Sequence, residues 1–426
     1  MFSPALAPLL ISTIIAVSIA LMLIRPRGVP EVYWIGGGVF LLLGLRLITL
    51  RLAWHASGKA LDVCFFLVGM MLLCELAREH SVFDWLSAIA VRKADGSCLK
   101  LFILVYAVGA VVTVFLSNDA TAVVLTPAIL AAVRKARVQP LPYLFVCAFV
   151  ANAASFLLPI SNPANLVVFH DAMPPLSRWL FAFGVPSLLS IGVTFVVLRW
   201  VYRKELCESI DHHVAVPTLN ANGKLVLASA TFMIAVLLTA SALGKDLGLP
   251  TCLCALSITA IVCIKERSNP LVLAREISWE TLALVAGLFI MVDAIESIGA
   301  MQFTREWLSW VQRRGLVAGD LIAGFAVGIA NNLVNNLPLG VIVGSTLHAA
   351  QTKGPIAVAV LIGVDLGPNL SVTGSLATIL WLIAVRREKI DVTFWDFLKV
   401  GVLAMPLALL AALGGASFMR LCFGNL

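Results

Sequence analysis

The sequence predicts an all-α polytopic membrane protein with about ten transmembrane helices plus two re-entrant hairpins. It is read as an inverted-topology repeat with two discontinuous helices meeting at the midplane. Three observations predict this. The 426 residues are 61% hydrophobic and only 12% charged, with a mean hydropathy of +1.00, whereas a soluble domain carries about 25% charged residues. The apolar residues fall into runs close to the roughly 20 residues that a bilayer crossing needs. Finally, Asn- and Pro-containing clusters interrupt four of those runs, twice in the same order.

The first repeat is assigned to residues 1–200. Apolar runs near 3–24, 31–50 and 60–77 lead into a stretch at 101–133 that Ser117-Asn118-Asp119 interrupts midway, followed by runs at 141–170 and 179–200. No basic segment precedes the first run, and Arg25 and Arg27 follow it, so no cleaved signal peptide is expected. Residues 201–224 form a polar cytoplasmic linker too short to fold alone, so function must be built inside the membrane. The second repeat, 225–426, carries runs near 225–243, 250–264 and 279–298. An interrupted stretch at 316–350 and runs at 356–385 and 399–421 complete it. In each interrupted stretch the two arms read as too short to cross separately, which suggests a hairpin whose polar tip stops inside the membrane.

Charge supports this path. It places the loops at 25–30, 78–100, 134–140, 199–224, 265–275 and 386–399 on one face, which then holds about 20 of the 30 Lys and Arg residues. The basic face is expected to be cytoplasmic in the inner membrane, with both termini outside. The net charge of +7 therefore marks topology and no nucleic-acid partner; lipid is the surrounding medium. An internal similarity agrees: residues 68–86 (VGMMLLCELAREHSVFDWL) resemble residues 286–308 (AGLFIMVDAIESIGAMQFTREWL), each leading through a short amphipathic linker into an interrupted stretch. Five crossings plus a hairpin in each half would invert one half relative to the other.

The candidate site lies where the four clusters converge. In the first half, Ser117-Asn118-Asp119 runs into Leu125-Thr126-Pro127, and the later span is broken at Leu158-Pro159-Ile160-Ser161-Asn162-Pro163-Ala164-Asn165. In the second, Asn331-Asn332 and Asn335-Asn336-Leu337-Pro338 form the tip, and the break runs from Gly363 through Asp365, Gly367-Pro368-Asn369 and Thr373-Gly374-Ser375. A helix broken inside a membrane leaves amides and carbonyls that must face protein, water or a substrate. Asn118, Ser161, Asn162, Asn165, Asn335, Asn336, Thr373 and Ser375 supply neutral donors and acceptors and are the candidate substrate ligands. Ordinary Pro/Gly kinks with caps are the structural alternative, and the twofold recurrence in matching order argues against it. No Lys or Arg occurs in these four segments, which points to a small neutral polyhydroxyl solute or to a cation.

Acidic groups inside a membrane are costly when charged, so they are paired or carry protons. Asp119 and Asp365 are the candidates for proton coupling, with a helix cap or a structural hydrogen bond as the alternative for each. Glu75, Asp293 and Glu296 lie toward span ends and Asp62 at a span start, where solvation is cheaper. His170, His348, His212 and His213 form no cluster with metal-ligand spacing and are expected to be structural, and no metal or cofactor is expected. No Walker loop, GxSxG or HExxH motif occurs, so the chain reads as a transporter rather than an enzyme, driven by a gradient or by a partner.

These motifs resemble the arsenical pump membrane protein (ArsB) family of the ion transporter superfamily. The resemblance is carried by Asp365-Leu366-Gly367-Pro368 through Gly374-Ser375-Leu376-Ala377-Thr378-Ile379-Leu380-Trp381, with Asn118-Asp119, Leu125-Thr126-Pro127, Ser161-Asn162-x-x-Asn165 and Asn335-Asn336-x-Pro338 in support. It covers roughly 100–385, and departs at Asn331-Asn332, where Ser-type residues are expected. The resemblance implies export of trivalent arsenic or antimony as the neutral trihydroxide, in exchange for protons, with some members coupled to a cytosolic ATPase subunit. The competing readings are a sodium-coupled carboxylate or sodium/proton transporter of the same superfamily, and a passive metalloid channel. An intramembrane enzyme using Asp119 and Asp365 as an acid–base pair fits the repeat poorly, since symmetry serves alternating access and not catalysis.

The nine cysteines are scattered, most of them inside apolar segments, and none falls in a break. They read as small apolar residues without a disulfide framework. A thiolate would also hold a thiophilic solute too tightly for turnover. Single Cys→Ala substitutions are therefore expected to leave metalloid uptake into vesicles close to wild type.

Overall fold

The computed structural model describes residues 6–170, 173–207, 218–299, 302–350 and 354–424, and these are helical without a single strand among them. The first half runs α1 (Leu6–Ile24), α2 (Glu31–Gly44), α3 (Leu50–Glu79), α4 (Val82–Lys93), α5 (Cys98–Phe115), α6 (Thr126–Lys135), α7 (Leu141–Ala153), α8 (Pro163–Val168) and α9 (Leu176–Val201). The second runs α10 (Ala221–Ala242), α11 (Gly248–Glu266), α12 (Pro270–Glu276), α13 (Trp279–Ser297), α14 (Gln302–Gln312), α15 (Leu316–Val334), α16 (Asn336–Ala349), α17 (Pro355–Leu366), α18 (Leu376–Arg387) and α19 (Phe394–Phe423). His212 and His213, with the rest of residues 208–217 of the polar linker, lie outside the described residues.

Eight of these helices are long and apolar enough to cross a membrane, or nine when α12 and α13, bent by 50°, count as one. Large apolar side chains such as Phe40, Trp54, Phe232 and Leu403 stand on the surface, as a lipid-facing exterior requires. The expected spans at 141–170 and 356–385 are indeed discontinuous: α7 stops at Ala153 before α8 begins at Pro163, and α17 stops at Leu366 before α18 begins at Leu376. One expectation is corrected. The first arms of the interrupted stretches, α5 and α15, reach 18 and 19 residues and are long enough to cross unaided, while the second arms are shorter. The reason lies in where the polar residues fall: apart from Lys100 and Asp320 near their starts, no charged residue, Asn or Pro interrupts either arm before its last turn, so each helix continues until Ser117 or Asn335. α3 likewise begins ten residues before the expected span, because the Thr49 hydroxyl caps it by accepting from the Leu52 N–H at 3.2 Å.

The elements of the two halves follow one order, and equivalent elements pack in equivalent ways. α3 packs on α11, and α13 packs on α2. The similar segments around 68–86 and 286–308 explain why, since their aligned glycines lie at these two crossings. A Cβ on Gly69 would stand 2.7 Å from the Thr251 backbone of α11, and one on Gly287 would stand 2.7 Å from Ile35 of α2. α9 and α19 form the most extensive helix pair, joining the halves. The α15–α17 seam is closer still: a Cβ on Gly363 would lie 2.5 Å from the Gly324 carbonyl, and one on Gly367 2.5 Å from the Gly328 carbonyl. Two small-xxx-small pairs thus bring two backbones together, as membrane helices do where lipid supplies no hydrophobic drive. The corresponding first-half seam, α5–α7, meets Gly109 only with the Val150 side chain.

Loops assigned to the basic face meet one another. Arg134 pairs with Glu388 at 2.6 Å, His80 stands 3.7 Å from Glu266, and Asn222 donates to the same Glu266. Because Gly69 faces rigid backbone and Gly287 faces a side chain that can turn aside, Gly69→Ala is expected to destabilise the protein by about 1–3 kcal/mol and Gly287→Ala by less. Thermal unfolding of the detergent-purified chain, followed by size exclusion, measures the difference.

Candidate functional site

The first tip is built by side chains that replace lost helix bonds. The Ser117 Oγ accepts from the Ala120 N–H at 3.1 Å, and the Asn118 Oδ1 accepts from the Asp119 N–H at 2.9 Å. Residues 120–125 then follow a π-helical path into Thr126-Pro127. Pro127 has no N–H to continue the regular ladder, and such π segments accompany functional sites. Asp119 does not cap this segment with its side chain, so the cap alternative is not realised; Ser117 and Asn118 serve there instead.

The first break is held by its own residues and by the tip. Ser161 Oγ accepts from the Leu158 N–H at 3.2 Å and donates to the Val114 carbonyl of α5 at 2.9 Å. Asn165 Nδ2 reaches the Ser155 carbonyl at 2.9 Å, with Leu158 and Pro159 carbonyls at 3.3 Å, satisfying acceptors that the interrupted helix leaves behind. Asn162 uses both ends of its amide. Its Oδ1 caps α8 by accepting from the Ala164 N–H at 3.0 Å, and its Nδ2 donates to Asp365 Oδ1 at 2.8 Å.

The second tip and break interlock more densely. Asn331 donates to the Val364 carbonyl, and Asn332 donates to the Gly328 and Gly367 carbonyls at 2.9 and 3.0 Å. Asn332 Oδ1 accepts from the Ser371 N–H and hydroxyl at 3.1 and 2.7 Å, while Thr373 donates to the Asn332 carbonyl at 3.1 Å. Asn335 sits at the tip with φ 74° and ψ 152°, a region that residues with a side chain rarely adopt, and its amide reaches the Thr373 carbonyl at 3.4 Å. Ser375 caps α18 by accepting from the Thr378 N–H at 3.1 Å.

The two breaks meet. Besides Asn162–Asp365, Asn152 Nδ2 of α7 donates to Asn369 Oδ1 at 3.0 Å, and Asn369 Nδ2 donates to the Phe149 carbonyl at 3.1 Å. Asp365 is fully buried, and its Oδ2 has no hydrogen-bond partner among the described residues; nor do the buried Oδ1 atoms of Asn165 and Asn336. The arrangement thus offers a buried acid and amide oxygens to a hydroxyl-bearing or protonated guest, with only neutral groups bonded to the acid. Asp119 and Asp365 share no hydrogen bond with each other. Among the described residues no group of His, Cys, Asp or Glu has the geometry of a metal site.

Four contributors fall outside the candidate ligands: Asn332 and Asn369 lie inside the polar clusters, Thr378 lies in the stretch that carries the resemblance, and Asn152 lies in neither. Asn152 had a usable signal, being a lone amide within an apolar run, where an unpaired polar group would be costly. The same signal applies to Asp320 of α15, which is 1% exposed and paired with Arg420 of α19 at 2.6 Å. Asp293, read as interfacial, is paired with Lys59 of α3 at 3.0 Å. Asp62 accepts from the Gly248 N–H at 2.8 Å, where α11 begins.

A lipid-facing exterior around two broken helices joined through polar side chains defines a membrane transporter. The chain belongs to the CitMHS family, described as citrate transporters, whose sequence profile matches residues 5–363. It is 24% identical to an arsenical pump membrane protein of Escherichia coli over 97% of this chain and 99% of that one, and 22% identical to one of Yersinia enterocolitica over the same shares. An uncharacterised transporter of Mycobacterium tuberculosis is 24% identical over 83% of this chain and 85% of its own length. The fold is similar to that of the Alcanivorax borkumensis YdaH transporter, whose crystal structure shows an unusual topology. There the TM-score is 0.57 at 16% identity, covering 89% of each chain.

The buried Asn162 amide and the exposed Thr373 hydroxyl should differ in weight. Asn162→Ala strips Asp365 of its donor and is expected to cost about 1–3 kcal/mol, against less than about 1 kcal/mol for Thr373→Ala. Thermal melts of the two variants in detergent make the comparison.

Proposed function

We propose that the protein exports trivalent arsenic or antimony, as the neutral trihydroxide, across the cytoplasmic membrane in exchange for protons. The observation that carries this reading is the meeting of the two breaks at Asn162 and Asp365, a buried acid bonded only to neutral side chains. A substrate bearing hydroxyls but no charge suits amide and hydroxyl ligands, and a carboxyl group at the same junction can be loaded with a proton when the substrate leaves. The names of the Escherichia coli and Yersinia relatives support the metalloid.

In this reading residues 1–200 and 225–426 are inverted repeats joined by the linker 201–224. α5 with α6, and α15 with α16, are re-entrant hairpins entering from opposite faces. The substrate ligands are Asn118, Ser161, Asn162, Asn165, Asn335, Asn336, Thr373 and Ser375, with Asp119 and Asp365 coupling protons. The basic loops face the cytoplasm, where an ATPase subunit would dock, and both termini lie outside. The family description favours a second reading, uptake of a carboxylate such as citrate through the same site.

Proteoliposomes with an imposed pH gradient and neither sodium nor ATP separate the two. Uphill arsenite or antimonite uptake that a protonophore abolishes is expected. Asp365→Asn and Asp119→Asn should each lower it by at least about 100-fold without loss of folded protein. Uptake of citrate in place of metalloid, or wild-type rates in both variants, would overturn the proposal.

A further inference from the structure

We infer that Arg25 and Glu31 guard the entrance to the second tip and break, and that Glu31 makes this entrance selective for neutral solutes over oxyanions. The inference rests on the transporter reading above and concerns two residues outside the four polar clusters. Arg25 leaves α1 in a left-handed conformation, φ 47° and ψ 58°, and Arg27 two residues later has φ 57°. Non-glycine residues adopt this conformation rarely, and it persists where the surroundings fix it. Here the Arg25 N–H donates to the Leu21 carbonyl, and the Gly28 N–H donates back to the Arg25 carbonyl, both at 2.9 Å. The chain is thereby turned so that the Arg25 guanidinium pairs with Glu31 in the first turn of α2. An acidic side chain is favoured at that helix terminus.

The pair is half-buried, at 27% and 18% side-chain exposure. It walls a cavity of about 30 Å³ together with Leu284, Asn335, Thr373 and Leu376. Asn335 and Thr373 belong to the candidate site, and Arg25 is the only Lys or Arg on this wall. The cavity holds little more than a water, so the pair closes this end of the site.

A guanidinium beside amide and hydroxyl donors is what a carboxylate or another oxyanion needs. Glu31 already supplies that carboxylate from within the chain. An arriving anion meets an occupied guanidinium and a like charge, whereas a neutral polyhydroxyl solute meets charges that cancel. The comparisons divide between citrate and arsenical transport, and Glu31 is the group that decides between them on electrostatic grounds.

The test uses the full chain in proteoliposomes, with arsenite uptake challenged by arsenate and by citrate. Glu31→Gln is expected to lower the inhibitory concentration of both anions by at least about tenfold. Glu31→Asp and the double variant R25Q/E31Q should respond like wild type, the first because the charge remains and the second because both charges are gone. A folded Glu31→Gln protein with unchanged inhibition overturns the inference, as does an equal shift in Glu31→Asp. Glu31→Ala gives the same reading if Glu31→Gln does not fold. Should wild type take up no arsenite, the metalloid reading fails on its own. The gate is then read from thermal stabilisation of the detergent-purified variants by citrate and arsenate: greater stabilisation of Glu31→Gln than of wild type supports it, and equal stabilisation rejects it.

Discussion

Every backbone amide and carbonyl in a bilayer must find a partner within the protein, and this constraint shapes the molecule more than any other. Two of its membrane segments are nevertheless interrupted for roughly ten residues between α7 and α8 and between α17 and α18. The interruptions survive because side chains from elsewhere complete the broken ladders. Asn165 satisfies carbonyls within its own break, Asn331 and Asn332 satisfy those of the opposing segment, and Asn162 and Asn152 reach across to the other half. The asparagines are therefore the skeleton of the breaks as well as the candidate ligands there. A side chain with a donor and an acceptor on one short stem does both at once.

The architecture was legible because its signals are coarse and repeated. Apolar run length gave the helices, charge asymmetry gave one face whose loops the Arg134–Glu388 and His80–Glu266 contacts bring together, and the Pro/Asn clusters gave both discontinuities. Less legible was everything set by long-range pairing. Asn152, Asn369 and Thr378 join one another only after α7, α17 and α18 are packed, and nothing local to each residue announces its partner. Asp293 lies near a helix end and reads as interfacial until Lys59, 234 positions away, is found beside it. Several of the candidate ligands are occupied by structural bonds: Ser161, Asn162, Asn165 and Ser375 each cap or cross-link a segment.

Family and cargo separate in this protein. The sequence matches transporters with different named substrates, so the scaffold alone does not choose among them. The choice falls to a few side chains at the ends of the path. Here those chains include an ion pair contributed by the loop after α1, far in sequence from the motifs that carry the resemblance.

The seam between α15 and α17 has a mechanical consequence. Where Gly363 and Gly367 lie on the carbonyls of Gly324 and Gly328, the nearest contacts between the helices are with backbone, and the Asn331 amide ties the same seam to the Val364 carbonyl. The second tip and second break are consequently welded into one stiff plate. Their first-half counterparts meet at Gly109 through a valine methyl, which can turn aside where a carbonyl cannot. A cycle that exposes the site to each face in turn would then be driven by an uneven pair of jaws, one rigid and one compliant, despite the likeness of their parts.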